Sequence, residues 1–314
     1  MTVYLDFEKP IAALEARIIE LQEAADESEV DVDAEIAKLR DKADKQLKDT
    51  YAKLTAWQKT QVARHPERPH FKHFVASMFD DFMPLAGDRA FGDDQAIIGG
   101  LARLDGRRVM LIGHEKGDDT QSRLHHNFGM GKPEGYRKAI RLMELADRFG
   151  IPVVSLVDTS GAFPGIQAEE RGQAEAIARS TEKCLQLGVP MIACIVGEGG
   201  SGGAVALAAA DRVLMFEYAV YSVISPEGCA SILWRTGDRA ADAAQAMKMT
   251  ADDLKSLNVI DRIVKEPMGG AHRDHELATA SLAKAIGEEL DALSVFSAKE
   301  LLQQRRTKFL SMGA

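Results

Sequence analysis

Met191-Ile192-Ala193-Cys194-Ile195-Val196-Gly197-Glu198-Gly199-Gly200-Ser201-Gly202-Gly203-Ala204 joins an unbroken apolar run to a glycine-rich one. Six consecutive apolar residues suit a strand buried on both faces, as in parallel sheets covered by helices. Five glycines then fall within seven positions. Without a Cβ, such a segment lets backbone approach a ligand closely and adopt positive φ. The small-residue run from Ala204 to Ala210 is predicted to form the next helix, opening at about Ala204. Free N–H groups at its first turn would point into the loop, where they can bind an anion or stabilise a developing oxyanion. The plain alternative is a tight turn with close helix–strand packing.

The same pattern recurs upstream. Val153-Val154-Ser155-Leu156-Val157 reads as a strand and Asp158-Thr159-Ser160-Gly161-Ala162-Phe163-Pro164-Gly165 as a Gly-rich loop, followed by a helix from about Ala168 to Leu187. Loops at the carboxyl ends of parallel strands converge on one crevice, where ligands of open α/β sheets bind. Earlier still, Ala96–Gly100 and Arg108–Gly113 flank Asp105-Gly106, a strong hairpin turn signal. Pro133 and Gly150 bracket a helix over Tyr136–Phe149, in the positions helix starts and stops prefer. Val213–Phe216 and Val220–Ile224 complete the strand series, and the chain from about Ala240 is mostly helical. Strand–helix alternation of this kind predicts an α/β fold.

Up to about residue 62 the pattern is helical instead. Leu14, Ile18 and Leu21 recur at helical spacing, as do Ile36, Leu39, Ala43, Leu47, Leu54 and Trp57. Between these runs lies the acidic Ser28–Asp33, where Asp31 or Asp33 could cap the second helix. This divides the chain into a helical arm over 1–62 and an α/β domain over 63–314. The arm reads either as a hairpin packed on itself or as a partner-binding element.

Composition narrows the function. The 314 residues carry 39 Lys+Arg against 48 Asp+Glu, a net charge of −9, and 46% are hydrophobic. That is globular composition, long enough to bury a core without disulfides or structural metals. The acidic balance argues against nucleic acid, whose binding rests on clustered Lys and Arg. Cys184, Cys194 and Cys229 offer no disulfide framework and no metal knuckle, so no metal is expected in this chain. No signal peptide or membrane-spanning run is visible, and a cytoplasmic protein is the expectation.

Three chemical readings compete for the glycine-rich segment. Gly197, Gly199 and Gly202 fit GxGxxG, with Glu217 where a ribose-binding carboxylate could sit, but the motif lies deep in the chain. Gly199, Ser201 and Gly203 fit GxSxG, a nucleophile elbow, with His272 and His275 downstream. The third is an oxyanion hole made of peptide N–H groups alone. Asp158 at its strand end reads as a turn or capping residue before it reads as a general base. His65, His70, His73, His114, His125 and His126 show no ligand spacing with cysteine and read as surface or loop residues.

Longer motifs carry a resemblance. Leu5-Asp6-Phe7-Glu8, Asn127-Phe128-Gly129-Met130, Pro133-Glu134-Gly135-Tyr136-Arg137-Lys138-Ala139, Gly197 to Ala204, Ser222 to Trp234 and Pro267-Met268-Gly269-Gly270-Ala271-His272-Arg273 span nearly the whole chain. Together they resemble the carboxyltransferase alpha-subunit family of bacterial acetyl-CoA carboxylase. One departure is visible, because the family has Asp-Thr-Pro-Gly-Ala-Tyr-Pro-Gly where this chain has Ser160 and Phe163.

The resemblance implies a crotonase-like fold of ββα units with the helical arm added. It implies transfer of a carboxyl group from carboxybiotin, carried on biotin carboxyl carrier protein, to acetyl-CoA, giving malonyl-CoA for fatty-acid synthesis. It further implies a zinc-containing beta subunit in an α2β2 assembly, and a separate biotin carboxylase that consumes ATP. By the same analogy the amides of Gly202 and Gly203 are the catalytic donors to the biotin oxygen. Gly199, Gly200, Gly161 and Ala162 would form the substrate-binding wall, and the beta subunit would hold the acetyl-CoA enolate. A non-enzymatic scaffold for a catalytic beta chain is the contrasting expectation.

Overall fold

The computed structural model describes residues 3–28 and 32–313. Eight strands form one sheet: β1 (Asp80–Pro84), β2 (Ile97–Leu104), β3 (Arg107–His114), β4 (Val153–Thr159), β5 (Met191–Gly200), β6 (Arg212–Phe216), β7 (Val220–Ser222) and β8 (Arg262–Val264). The order is β1-β2-β3-β4-β5-β6-β8, with β7 also pairing β5. The first three are antiparallel neighbours and the rest are parallel, so the sheet is mixed. Asp105 (φ 49°) and Gly106 (φ 75°) make the expected β2–β3 turn. Two successive positive φ values suit the right-handed strand twist.

The helix Pro133–Phe149 crosses from β3 to β4 and buries Tyr136, Ala139, Leu142, Met143 and Ala146 against the sheet. Those positions share one helical face. Pro133 opens this helix and left-handed Gly150 (φ 63°) ends it, as predicted. The helix expected over Ala168–Leu187 is instead two, Ile166–Glu170 and Gln173–Gln186. Gly172 between them has φ +80°, which interrupts the helical path.

In the arm, helices Lys9–Ser28 and Asp33–Tyr51 pack on each other and bury Ile18, Ile36, Ala43 and Leu47. Asp31 lies outside the described residues, and Asp33 is the first helical residue. At the base, Ile11, Leu47, Tyr51 and Val62 cluster with Tyr218 of the larger unit. Tyr51 Oη donates to Glu8 Oε1 (2.9 Å), and Arg273 reaches Glu15 Oε1 (2.9 Å). Among the described residues, no helix is long and apolar enough to cross a membrane.

Candidate active site

β4 and β5 run in regular register from Val153↔Met191 to Val157↔Ile195, then jump so that Thr159 faces Gly199. Asp158 fills the jump. Its Oδ1 accepts from the Glu198 amide (2.9 Å) and lies 2.6 Å from Lys116 Nζ. A Cβ on Gly197 would stand 2.5 Å from that same oxygen, so a side chain there would collide with it. Burial alone would raise the Asp158 pKa, but Lys116 and His70 outweigh it and hold the carboxyl well below the usual range. Asp158 is thus a buried anchor of the irregularity within β4, and not the turn or capping residue expected from its sequence position.

The glycine-rich segment differs from expectation in one respect. β5 continues through Gly200, with Glu198–Gly200 pairing Val220–Ser222, and the next helix begins at Ser201 instead of Ala204. Glycine's poor helix propensity argues for a later start, but packing overrides it here. A Cβ on Gly203 would lie 2.8 Å from Gly161 C and 2.9 Å from Ala162 N. On Gly200 it would lie 2.2 Å from Ser160 O. The two loops are therefore pressed backbone to backbone. The turn itself falls at Ser201, which has φ +54°.

The helix Ser201–Ala208 leaves the amides of Ser201, Gly202 and Gly203 without intrahelical acceptors. The structure therefore places the two expected donors, Gly202 and Gly203, at this first turn, Gly202 half-buried and Gly203 buried. Gly199 and Gly200 are buried β5 residues, and Gly199 packs on Tyr221. On the facing loop the Gly161 amide donates to Thr159 Oγ1 (3.1 Å). The Ala162 amide has no acceptor among the described residues and faces Gly203.

The facing loop is held from below. Gln173 Nε2 donates to Gly131 O and Phe163 O (both 2.9 Å), and Phe163 N donates to Gly131 O (3.0 Å). The Phe163 ring lies 5.1 Å from Lys132 Nζ. Neither a proline at 160 nor a phenol at 163 is needed for these contacts.

The other two readings of the glycine segment find little support. His272 stacks on His65 (centroids 3.9 Å apart) and His275 bonds Glu67 O (2.7 Å), so neither is hydrogen-bonded to Ser201. Ser201→Ala is expected to change turnover by no more than about threefold, whereas a nucleophile would lose at least about a thousandfold. Assaying that variant beside wild type decides between them. Gly197 to Gly200 are strand, not a phosphate turn, and Glu217 is paired with Lys265 (2.6 Å).

His65, His70 and His114 are buried, contrary to the surface reading. Burial lowers the His114 pKa to about 4. Glu8, His65 and His272 bring ligand-type atoms within 4.8 Å of one another. Yet His65 donates from Nε2 to Val3 O (2.9 Å) and accepts at Nδ1 from Glu67 N (3.2 Å). Glu8 accepts from Tyr51 and the Leu5 amide. These bonds make the trio a joint between arm and core, and leave His65 no lone pair for a cation.

Beside the glycine loops opens a pocket of about 250 Å³, bordered by Arg64, His70, Lys116, Arg123, Phe128 and Ser160. Arg64 bridges Glu198 Oε1 (2.6 Å) and Glu227 Oε1 (2.6 Å), tying the end of β5 to the helix Pro226–Trp234. Sequence reading missed this ring of cations, because Arg64 falls just past the boundary drawn for the helical arm and the others stand far away along the chain. The one available signal was Asn127–Met130, which carries Phe128.

The family described as acetyl co-enzyme A carboxylase carboxyltransferase-like matches residues 4–313. The acetyl-coenzyme A carboxylase carboxyl transferase subunit alpha of Rhizorhabdus wittichii is 73% identical over 313 residues, covering 100% of both chains. The subunit of that name from Caulobacter vibrioides is 59% identical, covering 99% of this chain and 97% of its own. Among solved structures, transcarboxylase 12S superposes with a TM-score of 0.60 at 20% identity, over 73% of this chain and 42% of its own. A Pseudomonas malonate decarboxylase hetero-tetramer, in complex with coenzyme A, gives 0.56 at 18%, over 68% and 86%. These likenesses establish the fold, which is crotonase-like. The chain belongs to the carboxyltransferase alpha-subunit family.

Proposed function

We propose that this family member forms the alpha half of a carboxyltransferase that moves a carboxyl group from carboxybiotin to acetyl-CoA, giving malonyl-CoA. The observation carrying this is the backbone contact between Gly203 and Gly161–Ala162, at the start of a helix whose first-turn amides have no intrahelical acceptors. Carboxybiotin supplies the carboxyl group and leaves negative charge on its ureido oxygen. The amides of Gly202 and Gly203 donate to that oxygen. Because they are fixed before reaction, they need no reorganisation as charge develops, and each such donor is worth about 3 to 4 kcal/mol. Ala162 contributes the facing wall.

The partners follow from the same reading. A zinc-containing beta subunit holds the acetyl-CoA enolate in an α2β2 assembly, and carrier protein and biotin carboxylase deliver the carboxyl group in the cytoplasm. Residues 1–62 act as the arm and 63–314 as the catalytic unit, and the product feeds fatty-acid synthesis. The test is reconstitution. Purified chain mixed with beta subunit, carboxylated carrier and acetyl-CoA should form malonyl-CoA, and either subunit alone should not. Full turnover by beta alone would make this chain a scaffold.

A further inference from the structure

Three observations meet at the pocket beside the glycine loops. The first is backbone strain. Asn127 (φ 46°), Phe128 (φ 55°) and Gly129 (φ 76°) are left-handed in succession. A bulky residue there is a genuine outlier, costing about 1–2 kcal/mol. Gly129 is wedged on Asp158 O and the Lys116 stem, where a Cβ would stand 2.9 Å from each. The outcome is a phenyl ring 46% exposed at the pocket rim. Strain of this kind persists where the surroundings over-determine it, and it clusters at ligand clamps.

The second observation is an unmatched cation. Arg64, Arg68 and Lys116 each have a carboxylate partner, in Glu198, Glu266 and Asp158. Arg123 has none. Its Nε donates to Gly117 O (3.3 Å), and its two terminal nitrogens make no hydrogen bond or ion pair among the described residues. The third is His70, which lines the pocket at 6% exposure with both ring nitrogens buried and, apart from longer contacts to two carboxylates, without a hydrogen bond. The nearest carboxylate oxygens, on Asp158 and Asp118, stand 3.8 and 3.9 Å away. A buried polar group left unpaired calls for an explanation, and here it borders a cavity.

We propose that this pocket is an oxyanion-binding subsite, in which the free fork of Arg123 receives a carboxylate or phosphate group while Phe128 covers the flat group attached to it. A guanidinium with both terminal nitrogens free still offers one edge that matches such an oxyanion bidentately, which an ammonium cannot do. The pocket, about 250 Å³, has room for one oxyanion and the flat group attached to it. Ser160, on the rim, immediately precedes Gly161, so the subsite adjoins the proposed donors. The inference rests on the carboxyltransferase reading, which offers two sources for the group: the carboxylate in transit or a phosphate of coenzyme A.

The test uses the reconstituted alpha–beta complex with Arg123→Gln, Arg123→Lys and, as a charge control, Arg40→Gln on the exposed arm. Loss of the fork should raise one Michaelis constant about tenfold, with Lys recovering only part of it. A rise in KM for acetyl-CoA that disappears with acetyl-dephospho-CoA identifies the phosphate. A rise in KM for carboxylated carrier, with acetyl-CoA unaffected, identifies the carboxylate. If all three variants keep both constants within about twofold of an active wild type, the subsite is overturned and the carboxyltransferase reading stands. A wild-type complex that makes no malonyl-CoA overturns both.

Discussion

Gly203→Ala is expected to assemble with the beta subunit and to lose malonyl-CoA formation by about 10²–10³ in kcat, the loss associated with one oxyanion donor. The cause is a single methyl group. At Gly203 it would sit 2.8 Å from Gly161 C and 2.9 Å from Ala162 N, both backbone atoms, so neither neighbour can yield by rotating a side chain. The loops must part, and the amides of Gly202 and Gly203 must turn with them. Gly202→Ala makes the contrast, because its methyl meets only the Ile177 side chain, nearest at Cγ2 (3.3 Å), which can shift. That variant should stay within a few fold of wild type. Steady-state rates of both, with assembly checked by gel filtration, give the answer. Comparable activity in Gly203→Ala and wild type would remove the paired loops from the chemistry.

The same contact shows what was legible in the sequence. Local signals held. Asp105-Gly106 turned the chain as its positive φ values require, and Pro133 and Gly150 bracketed their helix. The glycine segment was read as letting backbone approach a ligand, and what the structure brings against it is the backbone of the facing loop. Its helix start was misplaced by three residues, because propensity penalises glycine while the facing loop, distant in sequence, demands it. β1 and β8 went unseen for a related reason. Asp80–Pro84 is mostly exposed and Arg262–Val264 is three residues long, so pairing with β2 and β6 makes them strands, not their own pattern. The oxyanion pocket was beyond reach. Arg64, Lys116 and Arg123 are unremarkable singly, and only the folded chain gathers them around one pocket.

Arg305→Met should cost about 3–5 kcal/mol of stability, the range for stripping one partner from a buried ion pair. Arg305 is 1% exposed in the C-terminal helix Ala298–Leu310. Its Nε and Nη2 donate to Asp211 Oδ1 (2.9 Å) and Oδ2 (2.6 Å). The remaining N–H groups reach Leu187 O (2.7 Å), Cys184 O (3.0 Å) and Val189 O (3.2 Å). Asp211 in turn accepts from the Met191 amide (2.8 Å), so the pair fastens the last helix to the first residue of β5. Methionine fills much of the space but leaves a carboxylate buried and uncompensated. Adding Asp211→Asn should therefore recover stability, since the amide oxygen can still accept from Met191 without a charge. The sign of that second step separates charge burial from lost packing. Urea unfolding of the two variants measures it, and an Arg305→Met protein within about 1 kcal/mol of wild type would show the pair to be dispensable. Carboxyl transfer by the folded fraction should survive, because β5 carries its glycines toward the opposite end, about 20–30 Å away by the rise of the strand.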